Sequence, residues 1–182
     1  MMYFFTPFTL DFKLLDAIDQ CMNLLQSDDW AVLMDGDTMF LQPDFGHRIQ
    51  RHIERHPEAG LFTCYASRCH YSIQVRPRVD IENDSIRYHN LIATNLAENK
   101  AGQVKEINRL IAGHLMVIRK STWSRNLPTI QRTAVDKKVL GVDTKISKAV
   151  LAVGLKILLM EDIYLSHYCR LVEGFGYTKH LT

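Results

Sequence analysis

Two aspartates, Asp35 and Asp37, flank a single glycine directly after the apolar run Trp30-Ala-Val-Leu-Met34. This alternation points both carboxylates toward one place when a turn follows a strand. Two hard oxygen donors suit Mg2+ or Mn2+, ions that stay partly hydrated and bind substrate phosphates. Gly36 leaves room for a phosphate to approach the backbone. The same residues also make an ordinary turn, since Asp and Gly are both turn formers. Two carboxylates at the mouth of a fully apolar strand are costly without a partner, which favours the metal.

Other titratable clusters are weaker. His52 and His56 lie four apart at helical spacing, but Glu54 is misplaced for the H-E-x-x-H pattern and Arg48, Arg51 and Arg55 surround them. They read as a solvated helix face. None of Cys21, Cys64, Cys69 and Cys169 forms a C-x-x-C pair, which argues against a zinc ribbon or thioredoxin-type site. Cys21 and Cys64 fall in apolar surroundings, so reduced, mostly buried thiols and a cytoplasmic location are expected. Trp30 and Trp123 read as packing groups.

Elements must position these groups. The aromatic stretch Met2–Phe8, stopped by Pro7, reads as a first strand and not as a signal peptide. Leu14, Leu15, Ile18, Met22 and Leu25 recur at helical spacing, so a helix is predicted from Asp11, its N-cap, to about Gln26. Trp30–Met34 predicts a strand covered on both faces. Phe45, Ile49 and Ile53 predict a helix over about Pro43–His56, and Gly60–Tyr65 a further strand. Ser67–Asn83 reads as an irregular loop, followed by a helix capped by Asp84 and running to about Asn99. A strand interrupted by Gly113 is predicted over Leu110–Ile118. Ile146, Ala149, Val150 and Val153 predict a helix that Asp143 precedes. Lys156–Met160 and Ile163–His167 form a last extended region, and about 172–182 a mobile tail.

Strands alternating with helices define an α/β class, here one domain over residues 1–182. Ligands of open α/β sheets collect at the carboxyl ends of strands, where Asp35 and Asp37 stand. The formal net charge of +2 is too small to argue for nucleic acid, and no apolar stretch approaches a membrane span. The locally basic stretch between Arg119 and Lys148 reads as a solvated face.

An apolar strand followed by Asp-x-Asp is similar to the haloacid-dehalogenase phosphatases. Their pattern places Gly fourth and Thr or Val fifth, where this chain has Thr38 and Met39. The run from Asp29 to Phe40 more closely resembles the Asp-x-Asp signature of GT-A glycosyltransferases of the family 2 type. Three further stretches agree in order. Thr6-Pro7-Phe8 ends the first strand, where such enzymes cradle the nucleotide. The run from Ala112 to Ser121, with Gly113 and His114, is similar to their strand near sugar and acceptor. Asp143 opens a helix, and His167 follows a late strand, as their third metal ligand does.

The resemblance implies a three-layer α/β/α fold with a mostly parallel central sheet, abbreviated at its N-terminal side. Asp35, Asp37 and His167 would hold Mn2+ or Mg2+. Thr6, Pro7, Phe8, Asp35, Gly36, Asp37, Gly113 and His114 would contact the nucleotide sugar. Asp143 would take a proton from the acceptor hydroxyl in an inverting transfer. Each has a plainer alternative: Asp143 as a helix N-cap, His167 as a hydrogen-bonded core residue, His114 as a buried one. Arg170 is placed to meet the diphosphate, and exposure is its ordinary state. The implied partners are a nucleotide-sugar donor and a saccharide, lipid-linked or other hydroxyl acceptor. Peripheral membrane contact and a homo-oligomer are compatible with this. Only 34 residues precede Asp35, fewer than in most such enzymes, so the resemblance implies a base-recognising strand and helix that are missing or compressed, and a donor site that is truncated or completed by a partner.

Overall fold

The structure, a computed structural model, describes residues 1–10, 13–133 and 141–168. Its elements in order are β1 (Met2–Phe5), α1 (Leu14–Asn23), β2 (Trp30–Met34), β3 (Thr38–Phe40), α2 (Phe45–Arg55) and β4 (Ala59–Ala66). A 3-10 turn at Ser72–Gln74 follows. Then come α3 (Ile86–Asn99), β5 (Val104–Ile107), β6 (Leu115–Arg119), α4 (Lys120–Thr133), α5 (Val142–Ala152) and β7 (Lys156–His167). The expected N-cap Asp11, as well as Cys169, Arg170 and the tail, lies outside the described residues.

The strands form one sheet in the order β1-β2-β6-β4-β7-β3, with β5 also on β7. Alternation along the strands sends side chains to two faces. Ala31 and Leu33 of β2 join Ile18 and Met22 of α1, Ile92 and Leu96 of α3, Trp123 of α4, and Ile146 and Val150 of α5 in one core. Trp30 and Val32 face the other way, into a core with Ile49 and Ile53 of α2. Helices therefore cover both faces, and β4, buried at all eight positions, runs through the middle.

The sheet is mixed, which corrects the expectation of a mostly parallel one. β1 with β2 and β4 with β7 are parallel; β2 with β6, β4 with β6, β3 with β7 and β5 with β7 are antiparallel. A parallel neighbour needs a long crossover, and α1 supplies one between β1 and β2. The chain from β2 to β3 has only the turn at 35–37, so β3 cannot return parallel beside β2. It pairs instead with the far end of β7.

Other boundaries shift for local reasons. Ser85, not Asp84, caps α3, its hydroxyl accepting from the Tyr88 N–H at 3.3 Å. Asp84 instead pairs with Arg68. The last extended region is one 12-residue strand. Helix α4 stands where only a basic surface was expected. Trp123 anchors it, fully buried, with its indole N–H donating to Asp19 at 2.9 Å.

His52 corrects the solvated-face reading of its helix. It is 1% exposed, and its Nε2–H donates to Asp162 Oδ1 at 2.5 Å. Asp162 Oδ2 accepts from the Gly102 N–H at 2.9 Å and faces Arg48 Nη1 at 3.4 Å. Burial alone would push Asp162 up, but these donors outweigh it and hold it below the ordinary carboxylate range. Its stabilising contribution is therefore full above about pH 4 and lost on acidification through its lowered value. Asp162→Ala would leave His52 and Arg48 facing a buried void, and such breakage costs about 3 kcal/mol or more. Thermal unfolding should show Tm down by about 6–12 °C at pH 7; a shift under about 2 °C would contradict the network's role.

Candidate metal centre

The site begins at the end of β2. The Asp35 N–H donates to the His114 carbonyl at 3.4 Å. The Thr38 N–H and hydroxyl both donate to the Asp35 carbonyl, at 3.3 and 2.7 Å. This closes the turn and starts β3 at once. Antiparallel pairing then sets Thr38 opposite His167, and the Tyr168 N–H donates to the Asp37 carbonyl at 2.9 Å. Three side chains distant in sequence thus converge: one ligand-capable atom each from Asp35, Asp37 and His167 lies within 4.8 Å of the others. Thr6 stands beside the turn, since a Cβ on Gly36 would meet its methyl at an ordinary 3.5 Å.

His167 is oriented from behind. Its Nδ1 lies 2.9 Å from the Arg68 carbonyl, which can only accept, so Nδ1 carries the proton. Nε2 is thereby turned toward the carboxylates, 3.4 Å from Asp37 Oδ1 and 3.8 Å from Asp35 Oδ2. A histidine whose second nitrogen is held by a carbonyl is the usual arrangement behind a metal. The Ser67 hydroxyl accepts from the His167 N–H at 2.9 Å and donates to its carbonyl at 3.3 Å, fixing the strand end. Two half-exposed carboxylates and one inward imidazole fit Mn2+ or Mg2+ as a donor set, with manganese the better match for nitrogen.

The proton balance agrees with an electrostatically crowded site. Asp35 is pushed up, first by withdrawal from water, then by Asp37 and Asp143, against the opposing pull of His167. Burial would lower His167, but its hydrogen bond to Asp37, the Asp37 charge, the Arg68 carbonyl and Asp35 together raise it. His114 is fully buried, donates from Nε2 to the Cys64 carbonyl at 3.1 Å, and lies with its ring centroid 5.5 Å from that of His167. Burial first, and the neighbouring His167 next, push His114 down to about 3, so it stays neutral.

These directions set a pH dependence. A raised Asp35 and a raised His167 both bind protons more tightly folded than unfolded. Their stabilising contribution to the metal-free protein is then full at low pH and is lost as pH rises through their raised values, while His114, lowered to about 3, contributes in the opposite direction, its share being full only above the ordinary histidine range. A divalent ion competes with those protons. Thermal unfolding should show a Mn2+ shift that is larger at pH 8 than at pH 5.5. Equal shifts at both pH values would contradict the shared site.

A pocket of about 220 Å³ opens beside the turn, bordered by Pro7, Asp35, Gly113 and Asp143. Asp143 lies in the first turn of α5, two residues after Gly141, which holds the N-cap position expected of Asp143. Its carboxylate accepts from the Thr144 N–H at 2.7 Å and the Gly113 N–H at 3.1 Å. Burial nonetheless raises it, these N–H groups only partly offsetting the effect. A Cβ on Gly113 would come within 3.1 Å of Asp143 Cβ. Gly113→Ala should therefore displace Asp143 by a few tenths of an ångström and slow any reaction it serves by about tenfold, with unchanged Mn2+ affinity; an unaltered rate would show that the contact does not matter. Phe8 is 76% exposed and borders a separate depression with Lys13 and Gln20.

The structure thus brings Pro7, Asp35, Gly113 and Asp143 to one pocket and Asp35, Asp37 and His167 to one point, with Thr6 and His114 beside them. Ser67 and the Arg68 carbonyl, which orient His167, have no sequence signature, since a backbone acceptor belongs to every residue type. In class, the chain is an α/β protein with a mixed, open sheet and a carboxylate–imidazole cluster at a strand end. No protein-family model and no curated protein matches it. No helix among the described residues is long and apolar enough to cross a membrane.

Proposed function

We propose that this chain is a metal-dependent glycosyltransferase of GT-A type, moving a sugar from a nucleotide-diphosphate donor to an acceptor hydroxyl with inversion. The observation that carries the reading is the Nε2 of His167 turned toward Asp35 and Asp37, with a third carboxylate, Asp143, bordering the same pocket as Asp35. Asp35, Asp37 and His167 would hold Mn2+ or Mg2+. A divalent ion there supplies charge neutralisation to a departing diphosphate.

The chain's own residues do the rest. Asp143, held by two N–H groups and raised by burial, is suited to accept a proton near neutral pH. The acceptor oxygen bonds to the anomeric carbon, the bond from that carbon to the diphosphate oxygen breaks, and the acceptor proton passes to Asp143. Thr6 and Pro7 are assigned to the nucleotide and Gly113 to the sugar side of the site; Phe8, at a separate depression, and His114, with no exposed surface, are not assigned a ligand contact. Neutral His114 backs His167 without adding charge.

The test is a panel of UDP-, GDP- and other nucleotide sugars, scored by thermal stabilisation with and without Mn2+. A ligand that binds only the folded state must stabilise it. One nucleotide sugar should raise Tm only when the metal is present, with transfer or slow release of nucleoside diphosphate following. Phosphate release from simple esters without nucleotide-sugar binding would favour the phosphatase alternative. Metal-dependent binding without turnover would reduce the protein to a binding module.

A further inference from the structure

We infer that the pocket between Asp35 and Asp143 takes an acceptor whose hydroxyl is carried on an apolar body, a phenol or a small cyclic or short-chain alcohol, and not a sugar. This rests on the transfer reading and narrows its acceptor class. Its walls are Leu14, Ile18, Leu33, Met34, Met116 and Val142. Four of these are almost fully withdrawn from solvent: Ile18, Leu33, Met116 and Val142. The side-chain polar groups bordering it are the two carboxylates.

A hexose entering such a space brings several hydroxyls, each needing a partner when removed from water. The two carboxylates can accept from one or two of them, and the aliphatic walls from none. Both Asp143 oxygens already accept N–H groups, and Asp35 is committed to the metal cluster. One reacting hydroxyl is what this rim can serve. The volume of about 220 Å³ also lies below the about 300–1,000 Å³ typical of drug-sized ligand sites, and suits one ring or a short chain. Donor and acceptor must be bound together, so an acceptor pocket stays available when the diphosphate is in place.

Ligand-observed NMR on the full chain tests this with three probes: 4-fluorophenol, cyclohexanol, and myo-inositol as the polyhydroxylated ring of equal carbon count. The expected result is binding of the first two and none of inositol at tenfold higher concentration. Removing metal with EDTA should leave probe binding in place, and Mn2+ with UDP should leave it unchanged or tighten it. Leu14→Trp, which fills the pocket, should weaken 4-fluorophenol at least tenfold while Mn2+ binding persists. Met34→Gln, on a half-buried wall position, serves the same purpose if the tryptophan variant does not fold. Inositol binding as well as cyclohexanol, displacement of the phenol by UDP, or unchanged binding in both variants would overturn the proposal. Nucleotide-sugar binding without phenol binding sinks the pocket assignment alone; phenol binding without any nucleotide-sugar binding sinks the transfer reading alone.

Discussion

Asp37→Ala should abolish Mn2+-dependent transfer, lowering the rate by at least about a hundredfold. The charge stabilisation a divalent ion gives a leaving group amounts to several kcal/mol, and each 1.4 kcal/mol or about that is tenfold. The effect follows from geometry, since Asp37 contributes one of three converging donors and is the nearer carboxylate to His167 Nε2, at 3.4 Å. The side chain is 38% exposed, so its removal leaves no buried void. Loss of Asp37 also removes the main group holding His167 up, so the variant should lose part of the acid-favoured stability of the metal-free protein. Titration of Mn2+ and initial rates check the first statement, and thermal unfolding of the metal-free variant beside the wild type at pH 5.5 and pH 8 checks the second. Asp35→Ala should behave alike, and retention of full Mn2+ affinity in either variant would show that the ion binds elsewhere.

Asp143→Asn should lower kcat by about 10²- to 10⁴-fold, the usual contribution of a positioned general base. Asparagine keeps one oxygen for the Thr144 or Gly113 N–H, so the fold and donor binding should survive. KM for the nucleotide sugar should change little, because the lost group acts on the acceptor proton. The pH profile separates catalysis from structure. Asp143 must be ionised to accept a proton, and burial raises it, so the wild-type rate should climb as pH rises through its raised value. The asparagine variant should lack that limb. A variant with the same limb and near-normal kcat would leave Asp143 only the structural role of holding the Gly113 and Thr144 N–H groups.

The sequence made some of this visible and not the rest. The strand Trp30–Met34 and its carboxylate turn were legible because an unbroken apolar run ending in two acids has few other uses. Helix α2 was legible from Phe45, Ile49 and Ile53. Helix α4 was not: Pro128 interrupts its pattern, and Trp123 is the one large apolar side chain that buries among its residues 120–126. Strands β3 and β5, three and four residues long, exist because β7 pairs with them, a long-range fact that local pattern does not encode. Strand direction was misjudged for the same reason, since it depends on which connections are too short to cross over.

Residue types at the site were legible while their convergence was not. Asp35 and Asp37 are close by sequence alone, but His167 reaches them only through the β3–β7 pairing and the Arg68 carbonyl behind its ring. His52 misled because arginines flank it. Its partner, Asp162, was the available signal: of the two adjacent acids between the apolar runs of β7, alternation sends one to a buried face, where it needs a donor, and α2 supplies two.

The central claim is that Asp35, Asp37 and His167 together hold a divalent ion that receives a diphosphate. Calorimetric titration of Mn2+ into the protein, alone and with UDP or GDP, tests it most directly. The prediction is one site per chain, tightened at least tenfold by one of the two diphosphates and lost in Asp37→Ala. No binding below millimolar Mn2+, or an affinity that neither diphosphate alters, would contradict it.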